Sequence, residues 1–315
     1  WQPRMVYKND LGYDVRSISN DERYLALVES VTTSSSNLYL ADQQSGKLKK
    51  INSDGVESSN NALQFSADNA RLYFTTDEGS EFQYIMTYQL ADGKKEKFYS
   101  TNWDVWYMTL SHNEKYRVIG VNEDGRNSVY LFDHKTGAKV DFPKIDDGAV
   151  QAVSFSEQED KMRLTIGDSK SPDNIYVYDF ATKELKKLTN TLNPEIDPND
   201  LVAAEVIRYK SFDGLEIPAI YYKPHQASET NKVPAVVFVH GGPGGQSGVG
   251  YFSLIQYLVN HGYAVLAVNN RGSSGYGKTF FKMDNRNHGD KDLKDCVWGK
   301  NYLASLPYID SSKIG

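Results

Sequence analysis

The first two hundred residues repeat with a period of about 45 residues. Four segments share one pattern, an apolar residue, a serine, a polar turn and an alternating strand, and they begin at Ile18, Phe65, Leu110 and Phe155. A fixed period of this length is typical of repeat architectures in which each unit is a small group of helices or strands. The period therefore constrains the fold more than any other feature of the chain.

A second sequence feature, a strand-turn-strand pattern, repeats with the same period. Each unit contains a strand, a turn and a strand, and the turn carries Gly46, Gly93 or Gly137 in the first three units and Lys183 in the fourth. About four short strands in 45 residues is the size of one β-propeller blade. The pattern predicts a partial propeller with about four blades visible and further blades upstream of Trp1. A β-sandwich with evenly spaced strands is the alternative.

The serines that recur in the repeat invite a functional interpretation, but a local one is simpler. A serine before a strand bonds to nearby backbone and is favoured in turns. We therefore predict that these serines are turn residues and not ligand-binding groups. They are Ser19, Ser66, Ser111 and Ser156.

The chain changes character after residue 188. Residues 188–200 carry two prolines and many turn formers, as expected of a linker. Two strand-like runs then flank Asp213-Gly214, a hairpin dipeptide. From Val233 onward, buried strands alternate with amphipathic helices, which predicts a parallel, doubly wound sheet. We predict a partial β-propeller over 1–195 and the N-terminal part of an α/β domain over 196–315.

The last predicted helix begins near residue 290. It places Leu293, Cys296 and Val297 on one face, with Asp290 or Asp292 as its N-terminal cap.

Composition excludes several classes of function. The net charge is −6 and the pI is about 5.6, so nucleic acid and anionic membranes are poor partners. Cys296 is the single cysteine, so no intrachain disulfide forms. The six histidines lack metal-ligand spacing, and we expect neither a metal nor a cofactor. Localisation stays open between the cytoplasm and a periplasm, as does homo-oligomerisation.

The run VFVHGGPGG at 237–245 is the strongest candidate site. A predicted central strand is followed there by a glycine-rich loop, at the edge of the sheet where α/β proteins bind ligands. Neither the P-loop pattern nor the G-x-G-x-x-G pattern fits, which argues against a phosphate site. An oxyanion hole fits better, because glycine backbone lets N–H groups approach a developing negative charge.

Several ordered motifs resemble the prolyl oligopeptidase family of serine peptidases, whose members join an N-terminal β-propeller to a C-terminal α/β-hydrolase domain. The motifs are HGGPGGQ at 240–246, GYAVLAVNNRGSSGYG at 262–277, HGDKDLKDCVWGKNYL at 288–303 and YIDSSKIG at 308–315. The resemblance implies a β-propeller followed by an α/β-hydrolase domain, and a serine peptidase that acts on short peptides.

The resemblance also assigns roles to the glycine loop. The loop of His240, Gly241, Gly242 and Pro243 is similar to the family's oxyanion loop, with the Gly242 amide as first donor and the Gly241 amide as second. The dipeptidyl peptidase branch uses a tyrosine at the position of His240, so the acylaminoacyl peptidase branch matches better.

The second glycine loop matches the family's RGSxGYG motif. The resemblance implies that Arg271, Gly275 and Tyr276 shape the loop beside the site and do not take part in the chemistry. It also gives Asp295, in the following helix, a structural role.

The family's nucleophile lies in a G-x-S-x-G turn, and this motif does not occur in the 315 residues. We therefore expect the nucleophilic serine, the aspartate and the histidine beyond Gly315, and the chain alone to be an inactive fragment. Two alternatives stay open: an esterase or other acyl hydrolase on the same scaffold, and a non-catalytic propeller module that binds partners.

Overall fold

The computed structural model describes residues 3–145, 148–242 and 244–315. It divides into two compact units, Trp1–Thr109 and Leu110–Gly315. No helix in the described part of the chain is long and apolar enough to cross a membrane.

Four four-stranded sheets account for the repeat. In each sheet the strands follow one another in chain order, and neighbouring strands pair antiparallel. The sheets begin at Asp14, Asn60, Asp104 and Ala149, so they recur about every 45 residues, as the sequence period predicts. The strands are β1 (Asp14–Ile18), β2 (Tyr24–Thr32), β3 (Ser35–Asp42), β4 (Lys47–Lys50), β5 (Asn60–Phe65), β6 (Arg71–Thr76), β7 (Tyr84–Gln89), β8 (Lys95–Tyr99), β9 (Asp104–Leu110), β10 (Tyr116–Glu123), β11 (Arg126–Asp133), β12 (Lys139–Val140), β13 (Ala149–Phe155), β14 (Lys161–Gly167), β15 (Asn174–Asp179) and β16 (Leu185–Lys187).

The repeated serines hold the turns between the first two strands of each sheet. In all four sheets the serine Oγ accepts a hydrogen bond from the backbone N–H five residues later. The pairs are Ser19 with Tyr24 at 2.8 Å, Ser66 with Arg71 at 3.0 Å, Ser111 with Tyr116 at 2.8 Å and Ser156 with Lys161 at 3.0 Å. The predicted turn role of these serines is confirmed.

A five-stranded sheet with helices follows. Its strand order is β17-β18-β20-β19-β21, in which β20, β19 and β21 run parallel and β17 and β18 form an antiparallel hairpin. The hairpin turns at Asp213-Gly214, as predicted. The elements are β17 (Ala204–Lys210), β18 (Glu216–Tyr222), β19 (Val233–Val239), α1 (Ser253–Asn260), β20 (Ala264–Val268), α2 (Lys278–Phe281), α3 (Lys291–Ser305) and β21 (Ile309–Ile314), and single 3-10 turns lie at Pro198–Asp200 and Lys282–Asp284.

The two long helices cover opposite faces of this sheet. Val265 and Ala267 of β20 pack in one cluster with Ile255 of α1. Leu266, which lies between them in sequence, packs in the other cluster with Leu303 of α3. Successive side chains of a strand point to opposite faces, so β20 is buried on both sides, as a doubly wound sheet requires.

The predicted apolar face of α3 is wrong. Leu293 is 56% exposed and Val297 is 48% exposed, and Cys296 is only partly buried. The buried residues of the helix are Asp292, Asp295, Gly299 and Leu303. The physical reason is that Asp295 forms buried hydrogen bonds, described below, which turn a polar face of the helix toward the sheet.

The N-terminus of α3 also differs in detail from the expectation. Asp290 occupies the N-cap position, but its side chain makes no capping bond to the backbone and pairs with Lys294. The Asp292 side chain accepts the Gly289 N–H at 2.7 Å.

The predicted domain boundary between 195 and 196 stays a prediction.

Candidate active site

Two loops meet at one edge of the sheet. The loop 240–250 follows β19 and the loop 269–277 follows β20, and these neighbouring strands are parallel, so both loops leave from the carboxyl edge. His240 Nε2 lies 2.9 Å from Ser273 Oγ, and the Ser274 N–H donates to the Gly245 carbonyl at 3.1 Å. The two glycine-rich loops are therefore joined by side-chain and backbone hydrogen bonds.

Gly241 and Gly242 lie at the exposed tip of the first loop. Gly242 has a φ of +65°, which glycine adopts without strain, and a Cβ at either residue would meet nothing within 4 Å. Within the described part of the chain, neither amide N–H donates to another atom. Both donors are available to a ligand. Pro243, which the sequence also assigned to this loop, lies outside the described residues.

The other two glycines of the loop are needed for close packing. A Cβ at Gly244 would lie 2.7 Å from the ring of Phe281. A Cβ at Gly245 would lie 2.4 Å from the Gly241 carbonyl oxygen and 2.7 Å from His240 Nδ1. The bare backbone thus serves two purposes: exposure at the tip and tight packing at the base.

His240 joins the two loops as a neutral ring. Burial lowers its pKa below 6.5. A neutral imidazole has one N–H. The Ser273 hydroxyl proton goes to the Asn270 carbonyl, so the ring proton is placed on His240 Nε2, which donates to the Ser273 oxygen at 2.9 Å. The other ring nitrogen, Nδ1, then carries no proton and lies 3.3 Å from the Gly241 carbonyl oxygen. Ser273 is fully buried and donates to the Asn270 carbonyl at 2.7 Å, so it cannot attack a substrate. The His240–Ser273 contact therefore joins the two loops, and the site-shaping role expected of His240 stays a prediction.

Arg271 points into the protein and not toward the loop tips. Its guanidinium donates to Asp295 through Nε and one terminal nitrogen, both at 2.8 Å, and to Asp213 at 2.9 and 3.0 Å. Hydrogen bonding to Asp295 raises the pKa of Arg271, and the guanidinium in turn lowers the pKa of Asp213 to about 2. Arg271 thus joins the second glycine loop to Asp213 and Asp295, and the loop-shaping role expected of it stays a prediction.

Gly275 and Tyr276 also pack inward. Gly275 has a φ of +85°, and a Cβ there would lie 2.3 Å from Asn122 Nδ2 and 2.4 Å from Gln246 Nε2. The Tyr276 hydroxyl accepts from Asn269 Nδ2 at 2.9 Å, and burial raises its pKa to about 12. A phenol with this pKa stays protonated at neutral pH, and the loop-shaping role expected of Tyr276 stays a prediction.

Three polar residues of this region were missed from the sequence. Asn269 is fully buried and clamps the backbone of Ser247, accepting its N–H at 2.6 Å and donating to its carbonyl at 2.9 Å. Gln246 pairs with Asn122 of β10. Polar residues directly after a buried strand, as in VNN at 268–270, are a signal that could have indicated Asn269. No local pattern indicates Asn122.

The arrangement can bind an anionic oxygen through backbone N–H groups. Such donors stabilise the negative charge that develops when an acyl group is transferred. Among the described residues, no group of three or more His, Cys, Asp and Glu side chains could hold a metal ion.

Comparison with known proteins gives matches over most of the chain. The model for the prolyl oligopeptidase N-terminal β-propeller domain matches residues 5–191, and the model for the prolyl oligopeptidase family matches residues 250–315. The propeller match and the sheets described above confirm the predicted fold class.

Individual relatives agree with the family matches. The chain is 27% identical over 173 residues to an uncharacterized peptidase, YuxL, of Bacillus subtilis, covering 55% of this chain and 26% of the relative. It is 28% identical over 246 residues to dipeptidyl aminopeptidase BIII of Pseudoxanthomonas mexicana, covering 73% and 35%.

A solved structure shows the same fold. A puromycin-hydrolyzing peptidase of Mycobacterium tuberculosis superposes with a TM-score of 0.80 at 19% identity, covering 96% of this chain and 48% of that one. The chain thus spans between about a quarter and about a half of the length of these three proteins.

Proposed function

Because the chain belongs to the prolyl oligopeptidase family, we propose that it supplies the oxyanion-binding loop of a serine peptidase that cleaves short peptides. One observation carries the proposal: the exposed amides of Gly241 and Gly242 have no acceptor in the described structure, at the carboxyl edge of a doubly wound sheet. The names of the relatives, which include a peptidase and a dipeptidyl aminopeptidase, support the choice of peptide substrates.

The proposed reaction is acyl transfer. A serine oxygen adds to the peptide carbonyl, and the carbonyl oxygen takes the negative charge of the tetrahedral intermediate. The Gly242 N–H is the first donor to this oxygen and the Gly241 N–H the second. Removal of one such donor typically raises the barrier by about 3–4 kcal/mol. The proposal places the serine, its histidine and the aspartate in chain that follows Gly315.

The neutral His240 ring suits this role. An imidazolium at this position would add a positive charge that varies with pH, whereas a neutral ring bonds to Ser273 through Nε2 without changing the local charge. We assign His240, Arg271, Gly275 and Tyr276 to shaping the two loops. The propeller is proposed to restrict entry to the active site, so that only short peptides reach it.

The test uses the full-length gene product. It is incubated with a fluorophosphonate probe that labels activated serines, and then assayed on dipeptidyl and N-acylaminoacyl p-nitroanilides and on p-nitrophenyl esters of the same acyl groups. The proposal expects stoichiometric labelling and hydrolysis of the anilides. Hydrolysis of the esters alone would favour an acyl hydrolase, and the absence of both labelling and hydrolysis would favour a binding module.

A further inference from the structure

A propeller hairpin lies directly against the base of the glycine loop. The hairpin joins β10 to β11 through a two-residue turn, Asp124-Gly125, in which both residues have positive φ. The Gly125 carbonyl accepts the Val249 N–H at 2.7 Å. Asp124 forms a two-pronged ion pair with Arg208 of β17, at 2.8 and 3.0 Å.

A pair of side-chain amides lies beside this turn. Asn122 Nδ2 donates to Gln246 Oε1 at 2.7 Å, and Gln246 Nε2 donates back to Asn122 Oδ1 at 3.4 Å. Asn122 is only 4% exposed, and Gly275 packs onto the pair so closely that a Cβ would collide with both amides. Three elements therefore meet here: the propeller hairpin, the base of the first glycine loop and the second glycine loop.

Gln246 follows the candidate oxyanion residue Gly242 by four positions. The Gly245 N–H, next to Gln246, donates to the Gly242 carbonyl at 3.2 Å, so the base of the loop is bonded directly to its tip. A shift of the backbone at Gln246 therefore moves Gly242. Oxyanion donors must lie within a few tenths of an ångström of their working position, and a displacement of about 1 Å can cost about 100-fold in rate.

We propose that Asn122, a propeller residue, is a positioning residue for the oxyanion loop and acts through its amide pair with Gln246. This inference rests on the proposed function. It gives the propeller a part in the acyl-transfer step that is separate from limiting access to the site. A positioning residue of this kind affects the transition state more than substrate binding, so its loss lowers kcat and leaves KM nearly unchanged.

The sequence of β11 offers a matched control. Asn127 lies directly opposite Asn122 in the hairpin register, and its Nδ2 donates to the Gln151 carbonyl, within the propeller sheets. Replacing either asparagine by alanine removes the same atoms from the same hairpin. Only Asn122→Ala removes a contact with the glycine loop.

The experiment measures kcat, KM and the thermal midpoint of the full-length protein and its variants on one peptide anilide. We expect Asn122→Ala to lower kcat about 10-fold to 100-fold with KM changed less than about 2-fold, and Asn127→Ala to leave kcat within about 2-fold of wild type. The inference is overturned if Asn122→Ala keeps wild-type kcat, or if both variants lose kcat in step with their thermal midpoints.

An exchange of the two side chains covers the case in which Asn122→Ala does not fold. Asn122→Gln and Gln246→Asn each change the length of the pair by one methylene, whereas the double variant restores the total length. Each single variant is expected to lose activity and the double variant to regain it to within about 3-fold of wild type. A double variant no better than the single ones overturns the inference.

The activity of the wild-type protein distinguishes a failure of the proposed function from a failure of the inference about Asn122. A wild type that neither reacts with the fluorophosphonate probe nor hydrolyses the anilide overturns the proposed function, and this inference falls with it. An active wild type whose Asn122 variants are unaffected overturns the inference alone and leaves the proposed function standing.

Discussion

The carboxylate of Asp295 accepts hydrogen bonds from three nitrogen atoms of Arg271: the backbone N–H at 2.9 Å and two guanidinium nitrogens at 2.8 Å. Asp295 is fully buried, and its second oxygen also accepts from the Ser211 hydroxyl. The pair connects helix α3 to the start of the second glycine loop. It accounts for the polar face that α3 turns toward the sheet.

We predict that Asp295→Ala destabilises the fold strongly. The substitution leaves the buried Arg271 guanidinium with Asp213 as its remaining carboxylate, and removal of one partner of a buried ion pair typically costs about 3–5 kcal/mol. Urea denaturation of the full-length protein would measure this loss. Glu96→Ala, which breaks the exposed pair with Lys94, is the control and should change stability little. Equal losses in the two variants would contradict the prediction.

Asp213, the second partner of Arg271, gives a prediction about pH. The guanidinium lowers the pKa of Asp213 to about 2, below its value of about 4 in an unfolded chain. A carboxylate with a lowered folded pKa stabilises the fold above pH 4, and this contribution is lost as the pH falls toward 2.

The measurement compares the free energy of unfolding of wild type and Asp213→Asn between pH 2 and pH 6. The difference between the two proteins should be largest above about pH 4 and should shrink as the pH falls. Because the Asp213 side chain is 38% exposed, solvent screening makes the difference modest. If the difference in free energy of unfolding stays constant across this range, the ion pair between Asp213 and Arg271 is not its cause.

The repeated serines provide an internal comparison. Ser111 is buried, and Ser111→Ala leaves the Tyr116 N–H without its side-chain acceptor, at a cost of about 1–2 kcal/mol. Ser156 makes the same bond at a more exposed turn, where water can replace the hydroxyl, so Ser156→Ala should cost less. Thermal unfolding of both variants would measure the two losses. A larger loss for Ser156→Ala would contradict the assignment of the repeat serines to the turns.

The repeat and its four-stranded units could be predicted from the sequence because both depend on local patterns. Each turn, serine and strand lies within one unit of about 45 residues, so a period and an alternation suffice. The exposed glycine loop could be predicted for the same reason: a buried strand followed directly by His240-Gly241-Gly242 is a local signal.

The side-chain network could not be predicted in the same way. Arg271 binds Asp213 and Asp295, which are 58 and 24 residues away in sequence, and Asn122 binds Gln246 across 124 residues. Such pairs depend on how the sheets and loops come together. The buried face of α3 was mispredicted for a related reason. The long-range hydrogen bonds of the Asp295 carboxylate decide which face of the helix packs on the sheet, and the local spacing of Leu293 and Val297 does not.

His240 should titrate below pH 6.5. Burial disfavours its charged form, so the folded pKa lies below the unfolded value. Protonation then favours the unfolded state, and the free energy of unfolding falls as the pH drops below about 6.5. NMR titration of the histidine ring carbons would measure the pKa, with His240→Gln to assign the signal. A midpoint at or above 6.5 would contradict a neutral, half-buried ring.

The most direct check of the oxyanion loop compares two glycines. Gly242 and Gly137 have φ of +65° and +73°, and at neither would a Cβ meet an atom within 4 Å. Alanine at each position therefore carries a similar backbone cost of about 1–2 kcal/mol. Gly137 lies in the turn between β11 and β12, outside both glycine loops.

We predict that Gly242→Ala and Gly137→Ala lower the thermal midpoint of the full-length protein by similar amounts but differ in activity. The strain at residue 242 turns the amide away from its working position, so kcat should fall about 10-fold to 100-fold, with KM much less affected. Gly137→Ala should keep wild-type kcat. If the two variants show the same kcat, the Gly242 amide does not stabilise the transition state, and the Gly241 amide becomes the donor to examine.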